Sequence, residues 1–332
     1  MLAACGGSQQ PIGAPGAMQQ GRAITTHAEH SNSWALTMLH TFKGSPNDGA
    51  FPIGSLFALG NELYGATDDG GAKFGGTIFE INTSGTESVL HSFNGNRDGF
   101  DPAAGPIGAH STLYGTTCLG GADDKGTIYE LSTSGRERVL YRFKGLGGSH
   151  NRSATDDGSC PDASLVLTNE TLYGTTRSGG TAGPCCDGGC GTVFNFDLPS
   201  GKEKVLYRFR CGADGESPTD LIPVNGKLYG VTLYGGTSGC VIGGCGTVYE
   251  IDTSGHKRTL YAFKGRTDGT TPLNLVDVSG RVYGTTWRGG ASYCSNGTMI
   301  VGCGTIFEID ASGHKRTVHS FEGFPTVRFR AT

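Results

Sequence analysis

The sequence predicts an all-β protein: a β-propeller of four-stranded blades built from five repeat units. Three observations carry that expectation. One pattern of short motifs recurs five times along the 332 residues. Each copy holds four short stretches in which β-branched and aromatic residues alternate with polar ones between Gly-rich turns, the period-two signature of strands. Finally, 58 residues are Gly, about 17% against roughly 7% in an average protein. That excess disfavours helices, because Gly costs about 1 kcal/mol per helical position relative to Ala.

The motifs keep one order in every unit. Leu-Tyr-Gly or a close variant places Tyr64, Tyr114, Tyr173, Tyr229 and Tyr283 at intervals of 50, 59, 56 and 54 residues. A Gly-Gly pair follows, as at Gly70/Gly71 and Gly289/Gly290. Gly-Thr then opens an alternating stretch such as Thr77-Ile78-Phe79-Glu80-Ile81. Next come a Ser-Gly turn and an apolar stretch ending at Phe93, Phe143, Phe209, Phe263 or Phe321. Asp-Gly, with a Pro three residues past the Gly, closes the pattern at Asp98, Asp157, Asp214 and Asp268. An extra Phe stretch and turn precede the first unit at Phe42 and Asp48. In unit 4 the strands are predicted near 219–224, 227–232, 246–252 and 257–263. Four strands in about 50–55 residues make one blade, and such a unit must stack on neighbours to bury its apolar face.

The second-to-third-strand loops and the links between units are long, whereas the other turns are tight. In an up-and-down blade this puts every long connection on one face, where variable loops carry binding. Six Phe strands accompany five complete units. Either five blades close with a spare strand, or a sixth blade is incomplete. Unit 2 departs from the pattern, with Ala103-Ala104-Gly105-Pro106 where its first strand should be apolar.

Composition excludes several functions. A net charge of −4, without a basic stripe, argues against a nucleic-acid partner. No run of about 18 apolar residues exists to span a membrane. The Gly-Gly pairs lack the Lys-Ser/Thr and following helix of a phosphate cradle. No cofactor is expected.

Positions that differ between units on the long-loop face are the ligand-binding candidates. Among the two residues before each Gly-Gly they are Asp68, Asp69, Arg177, Tyr234, Trp287 and Arg288. Trp and Tyr stack on sugars or anchor proteins, and Arg recurs at binding hot spots. The link from Leu146 to Asp157 carries an asymmetric polar cluster, His150, Arg152, Asp156 and Asp157, the best catalytic candidates, although no nucleophile–base spacing supports them. The Asp repeated in every unit reads as a turn residue capping its own backbone. His40, His91 and His319 share a column with Tyr141, Tyr207 and Tyr261, which reads as packing rather than metal binding, so no metal site is expected.

Of eleven Cys, most sit in long loops. The expected bridges are Cys240–Cys245, Cys294–Cys303, and Cys190 with Cys185 or Cys186; Cys160 and Cys211, both in links between units, are placed to bridge adjacent blades. Without nearby His the spacing does not fit zinc. Disulfides imply an oxidising compartment.

The start, Leu2-Ala3-Ala4-Cys5-Gly6, resembles a bacterial lipobox, in which Cys5 carries the lipid. Residues 1–5 then read as a lipobox remnant, 6–35 as a flexible tether, 36–323 as the repeat domain and 324–332 as an irregular tail. The full pattern, Leu-Tyr-Gly-Thr-Thr, Gly-Gly, Gly-Thr-Ile/Val-Phe/Tyr, Ser-Gly, Leu-His/Tyr-x-Phe and Asp-Gly, resembles the GloVer tandem repeat of bacterial surface proteins. The resemblance implies an exported, propeller-like protein with no established activity; kelch blades are similar only by analogy. The resulting expectation is a monomeric, extracytoplasmic, lipid-anchored binding module for a carbohydrate or protein ligand, touching the membrane only through its anchor. The alternatives are an extracytoplasmic carbohydrate-active or lyase-type enzyme using the long-loop face, and a structural repeat protein of the envelope.

Overall fold

The computed structural model describes residues 36–95, 97–145, 157–181, 188–237, 240, 243–291 and 302–322. Blade 1 consists of β1 (Gly49–Leu59), β2 (Glu62–Gly70), β3 (Thr77–Asn82) and β4 (Glu87–Ser92). Blade 2 holds β5 (Ile107–Ala109), β6 (Thr112–Thr117), β7 (Thr127–Ser132) and β8 (Glu137–Arg142). Blade 3 holds β9 (Val166–Thr168), β10 (Thr171–Thr176), β11 (Thr192–Asp197) and β12 (Lys202–Arg208). Blade 4 holds β13 (Glu216–Val224), β14 (Lys227–Tyr234), β15 (Thr247–Ile251) and β16 (Lys257–Ala262). Blade 5 holds β17 (Thr270–Val278), β18 (Arg281–Arg288), β19 (Thr305–Ile309) and β20 (Lys315–Ser320). Each blade is an antiparallel meander in sequence order, and the five form a five-bladed β-propeller. No α-helix occurs among the described residues, and so none is long and apolar enough to cross a membrane.

The Tyr-Gly motif has a steric cause. On the middle strands each Gly lies opposite an aromatic residue of the next strand: Gly65↔Phe79, Gly115↔Tyr129, Gly174↔Phe194, Gly230↔Tyr249 and Gly284↔Phe307. A Cβ on any of these glycines would overlap the facing ring. The ring therefore lies flat across the strand, and the Phe ending the previous unit packs on it. Centroids are 5.2 Å apart for Phe93–Tyr129, Phe143–Phe194 and Phe263–Phe307, and 5.3 Å for Phe209–Tyr249. These four Phe residues are fully buried, and this relay of rings is the core between blades. Phe321 ends blade 5 and is 41% exposed, with no further blade on it among the described residues. Thr pairs on the middle strands reinforce each sheet, as where Thr67 and Thr77 join Oγ1 to Oγ1 at 2.8 Å.

Blades 2 and 3 depart from regularity at the inner strand. β5 and β9 have three residues each, against eleven in β1 and nine in β13 and β17. In blade 2 the segment Ala103–Pro106 leaves the ladder, where Pro lacks the N–H a strand needs. There the backbones of blades 1 and 2 touch, at Gly54 and Gly105, with no room for a Cβ on either.

The extra stretch before unit 1 is not a strand. Residues 36–43 run beside blade 1, where the Leu39 carbonyl approaches Gly85 as Leu90 approaches Gly135 and Leu206 approaches Gly255 in later units. Phe42 rests on Phe79, at 5.0 Å between centroids. This stretch occupies the place of an outer strand belonging to a preceding unit.

Candidate functional site

The links between blades are fixed by one repeated bond. The residue before the Pro repeated in each link has a positive φ: Asp101 (61°), Cys160 (55°), Ser217 (55°) and Thr271 (58°). Its N–H donates to the preceding blade: Asp101 to the Gly75 carbonyl at 3.0 Å, Cys160 to Lys125 at 2.9 Å, Ser217 to Cys190 at 3.0 Å and Thr271 to Cys245 at 2.9 Å. This brings each link beside the second-to-third-strand loop of the blade before it, so residues far apart in sequence meet on that face.

At the junction of blades 1 and 2 the result is a carboxylate cluster. Asp101 interacts electrostatically with Asp68, Asp162 and Asp69. Burial, then the neighbouring Asp68 and the charges of Asp162 and Asp69, hold the Asp101 carboxyl well above the usual carboxylate range. Burial also pushes Asp162 up to about 7, opposed by the Arg177 guanidinium. Asp162 Oδ1 is buried without a hydrogen-bond partner among the described residues. Asp69 is turned locally, its Oδ1 accepting from the Gly70 N–H at 2.6 Å. Three of the six residues chosen from sequence, Asp68, Asp69 and Arg177, thus join one electrostatic cluster. The sequence reading missed Asp101 and Asp162; the signal for Asp101 was the variable position before the repeated Pro, which reads Phe51, Asp101, Cys160, Ser217 and Thr271, and Asp162 directly follows one such Pro.

The other three lie on blades 4 and 5. Trp287 is 51% exposed, and the Arg288 guanidinium lies 4.5 Å from its ring centroid, a cation–π contact. Tyr234 is half-buried at the end of β14. Among the described residues, these three make no hydrogen bond or ion pair with the carboxylate cluster.

The Cys pairings correct one expectation. Cys190 pairs with Cys211, not with Cys185 or Cys186; Cys160 and Cys211 do bridge adjacent blades, Cys160 through Cys118. Both bridges join a second-to-third-strand loop to the link into the next blade, the juxtaposition made by the backbone bond above. Cys240 pairs with Cys245 inside one loop. Cys303 is disulfide-bonded, while Cys294, Cys185, Cys186 and Cys5 lie outside the described residues. Disulfides are consistent with an extracytoplasmic location.

His150, Arg152 and Asp156 also lie outside the described residues. Asp157 is buried, and its carboxylate accepts from the Tyr141 hydroxyl at 2.6 Å and from the Lys144 and Gly145 N–H groups at 3.0 Å. Its lone pairs are thereby committed to the link between blades.

The same arrangement corrects the reading of the His/Tyr column as packing alone. His40 and His91 meet Asp48 and Asp98 through Nε2 at 3.1 Å, and Tyr207 and Tyr261 donate to Asp214 and Asp268. A third residue joins each pair from the next unit, two positions after its Ser-Gly turn: Glu87, Glu137, Glu203, Lys257 and Lys315 in order. Lys257 donates to the Asp214 carbonyl at 2.6 Å, Asp214 Oδ1 at 2.7 Å and Thr259 at 3.0 Å. Lys315 repeats this with Asp268 and Thr317. Where the residue is Glu, two carboxylates face each other. Burial and the nearby Asp157 push Glu203 up to about 7, and burial with Asp48 or Asp98 raises Glu87 and Glu137.

No curated protein matches the chain. Solved structures match at low identity. A chain of the nidogen/laminin complex aligns at a TM-score of 0.50 and 14% identity, over 82% of this chain and 80% of its own. TolB from Acinetobacter baumannii aligns at 0.45 and 14%, over 83% and 56%. A gluconolactonase from Xanthomonas campestris aligns at 0.47 and 12%, over 82% and 77%. At such identities the likeness to the nidogen/laminin chain speaks for the fold alone. The family model for the Gloeobacter/Verrucomicrobia repeat matches residues 15–242 and again 154–330, which together span most of the sequence and agree with the motif order and the five blades, and the chain belongs to that repeat family.

Proposed function

We propose that the protein is an exported recognition module whose long-loop face binds a hydroxyl-rich ligand, a carbohydrate. The observation that carries this reading is the Asp68–Asp101 pair with Asp69, Asp162 and Arg177 around it. A carboxyl that keeps its proton donates a hydrogen bond while its neighbour accepts, which suits sugar hydroxyls, groups that do both. Trp287 adds an exposed ring on the fifth blade for an apolar sugar face. In this reading the module hangs from a lipid on Cys5 through residues 6–35 and works as a monomer outside the cytoplasm, a placement the disulfides favour.

The test is a glycan-array screen of the purified chain, with Asp68→Asn and Trp287→Ala as variants. Specific binding weakened at least tenfold by Asp68→Asn supports the reading. Binding indifferent to Asp68→Asn, or no binding at all, overturns it.

A second reading has its own support. Neighbouring carboxyl groups, one of which keeps its proton above the usual carboxylate range, can divide the roles of acid and base. Incubation of any bound glycan with the protein separates the two. Cleavage products lost in Asp101→Asn identify an enzyme; an intact ligand leaves recognition alone.

A further inference from the structure

The five junctions between units differ in charge at one position, and the difference points to a ligand. At the last two, the Lys257 and Lys315 ammonium groups each donate two hydrogen bonds to the Asp and a third to Thr259 or Thr317, from nearly buried side chains, 2% exposed. At the first three, Glu stands in that place. Glu87, Glu137 and Glu203 each leave Oε1 buried with no hydrogen-bond partner among the described residues. A cation present in two junctions is thus replaced in three by an anion facing another anion, in surroundings where an unpartnered charge is costly.

We infer that the first of these, His40–Asp48–Glu87, is a divalent transition-metal site. Among the described residues this is the set of three ligand-type side chains whose donor atoms lie within 4.8 Å of one another. His40 Nε2 is 3.1 Å from Asp48 Oδ2 and 4.0 Å from Glu87 Oε2. Bonds of about 2.0–2.2 Å place the ligands of a tetrahedral ion roughly 3.3 Å apart, so the set needs only a small closure. The Glu87 side chain is 10% exposed; its Oε2 faces His40, and the Oε1 of the same carboxylate is the buried oxygen without a partner among the described residues. Asp48 is already oriented, its oxygens held by the Lys43 N–H at 2.8 Å and the Gly49 N–H at 2.7 Å. That is the outer-shell support a ligating carboxylate has in metal sites. One imidazole with two carboxylates suits Zn²⁺ or Mn²⁺ better than Mg²⁺, which prefers oxygen donors and its own waters. Bound there, the ion takes the place of the lysine ammonium and pins residues 36–43 to blade 1. At the third junction Tyr141 replaces the imidazole, which removes the nitrogen donor.

The experiment is calorimetric titration of the disulfide-intact chain with Zn²⁺, Mn²⁺ and Mg²⁺, alongside thermal unfolding with and without each ion. Glu87→Lys places beside Asp48 the ammonium that Lys257 and Lys315 give Asp214 and Asp268, with its fold checked by the unfolding transition without metal; Glu137→Lys makes the same change at the second junction. The expected result is a saturable Zn²⁺ or Mn²⁺ site on the wild type that raises Tm. Glu87→Lys should weaken it at least tenfold and abolish the Tm rise, whereas Glu137→Lys should leave it unchanged. Mg²⁺ should bind at least tenfold more weakly than Zn²⁺. Equal Zn²⁺ binding by wild type and Glu87→Lys overturns the inference, because the ion then sits elsewhere, on thiols for example. Absence of saturable binding, or a loss confined to Glu137→Lys, also overturns it.

Discussion

Blades 1 to 3 and blades 4 to 5 share one backbone plan but join their units by opposite electrostatics. In the later blades a buried lysine closes each junction through Asp214 or Asp268. In the earlier ones a glutamate faces Asp48, Asp98 or Asp157 and carries an oxygen without a partner. The aromatic relay hardly differs between them, with Phe93–Tyr129 and Phe263–Phe307 both at 5.2 Å. The apolar contact therefore sets how units stack, and the polar corner is free to vary in charge.

The largest effect should come from breaking the lysine side. Lys257→Met keeps the volume and removes the ammonium, leaving Asp214 without its counter-ion. Loss of one partner of a buried pair costs about 3–5 kcal/mol, to be measured by urea unfolding. A cost below about 1 kcal/mol would show that water replaces the ammonium freely. Next, Gly115→Ala and Gly230→Ala should each cost about 2 kcal/mol, since both force a methyl into a facing Tyr ring. Their near equality is the point: the two halves should respond alike where only packing is involved.

The smallest effect concerns pH. Glu203 is raised to about 7 by burial first and then by Asp157. A folded carboxyl raised above its unfolded value binds the proton more tightly when folded. Its contribution is complete below about pH 4.5 and is lost as pH rises through about 7. Glu203→Gln should flatten stability over that window by about 1–2 kcal/mol, allowing for its partial exposure. Denaturant midpoints measured at pH 4.5 and 8 for both proteins check this; identical slopes would place the carboxyl in better contact with water.

The blades were legible because each carries its own local signals. Unit 4 illustrates this: strands expected at 219–224, 227–232, 246–252 and 257–263 form at Glu216–Val224, Lys227–Tyr234, Thr247–Ile251 and Lys257–Ala262. What stayed hidden was every contact between units. His40 and Glu87 lie 47 residues apart, and neither its own unit nor its column reveals the partner. The partner of Cys190 was hidden for the same reason. Short separation favoured Cys190 with Cys185 or Cys186, but the link carrying Cys211 is bonded alongside that loop. Asp68 was visible as a variable loop residue, whereas Asp101 became meaningful only once the Ala103–Pro106 segment and its link were placed against blade 1.

The two bridges between loop and link also decide how the molecule fails when cut. A backbone break anywhere between residues 119 and 159 leaves both fragments tied through Cys118 and Cys160, and one between 191 and 210 leaves them tied through Cys190 and Cys211. A single cut cannot separate the chain at either stretch. Separation of the two flanking parts requires a reductant as well, so proteolysis and redox state act on these segments as a two-key lock.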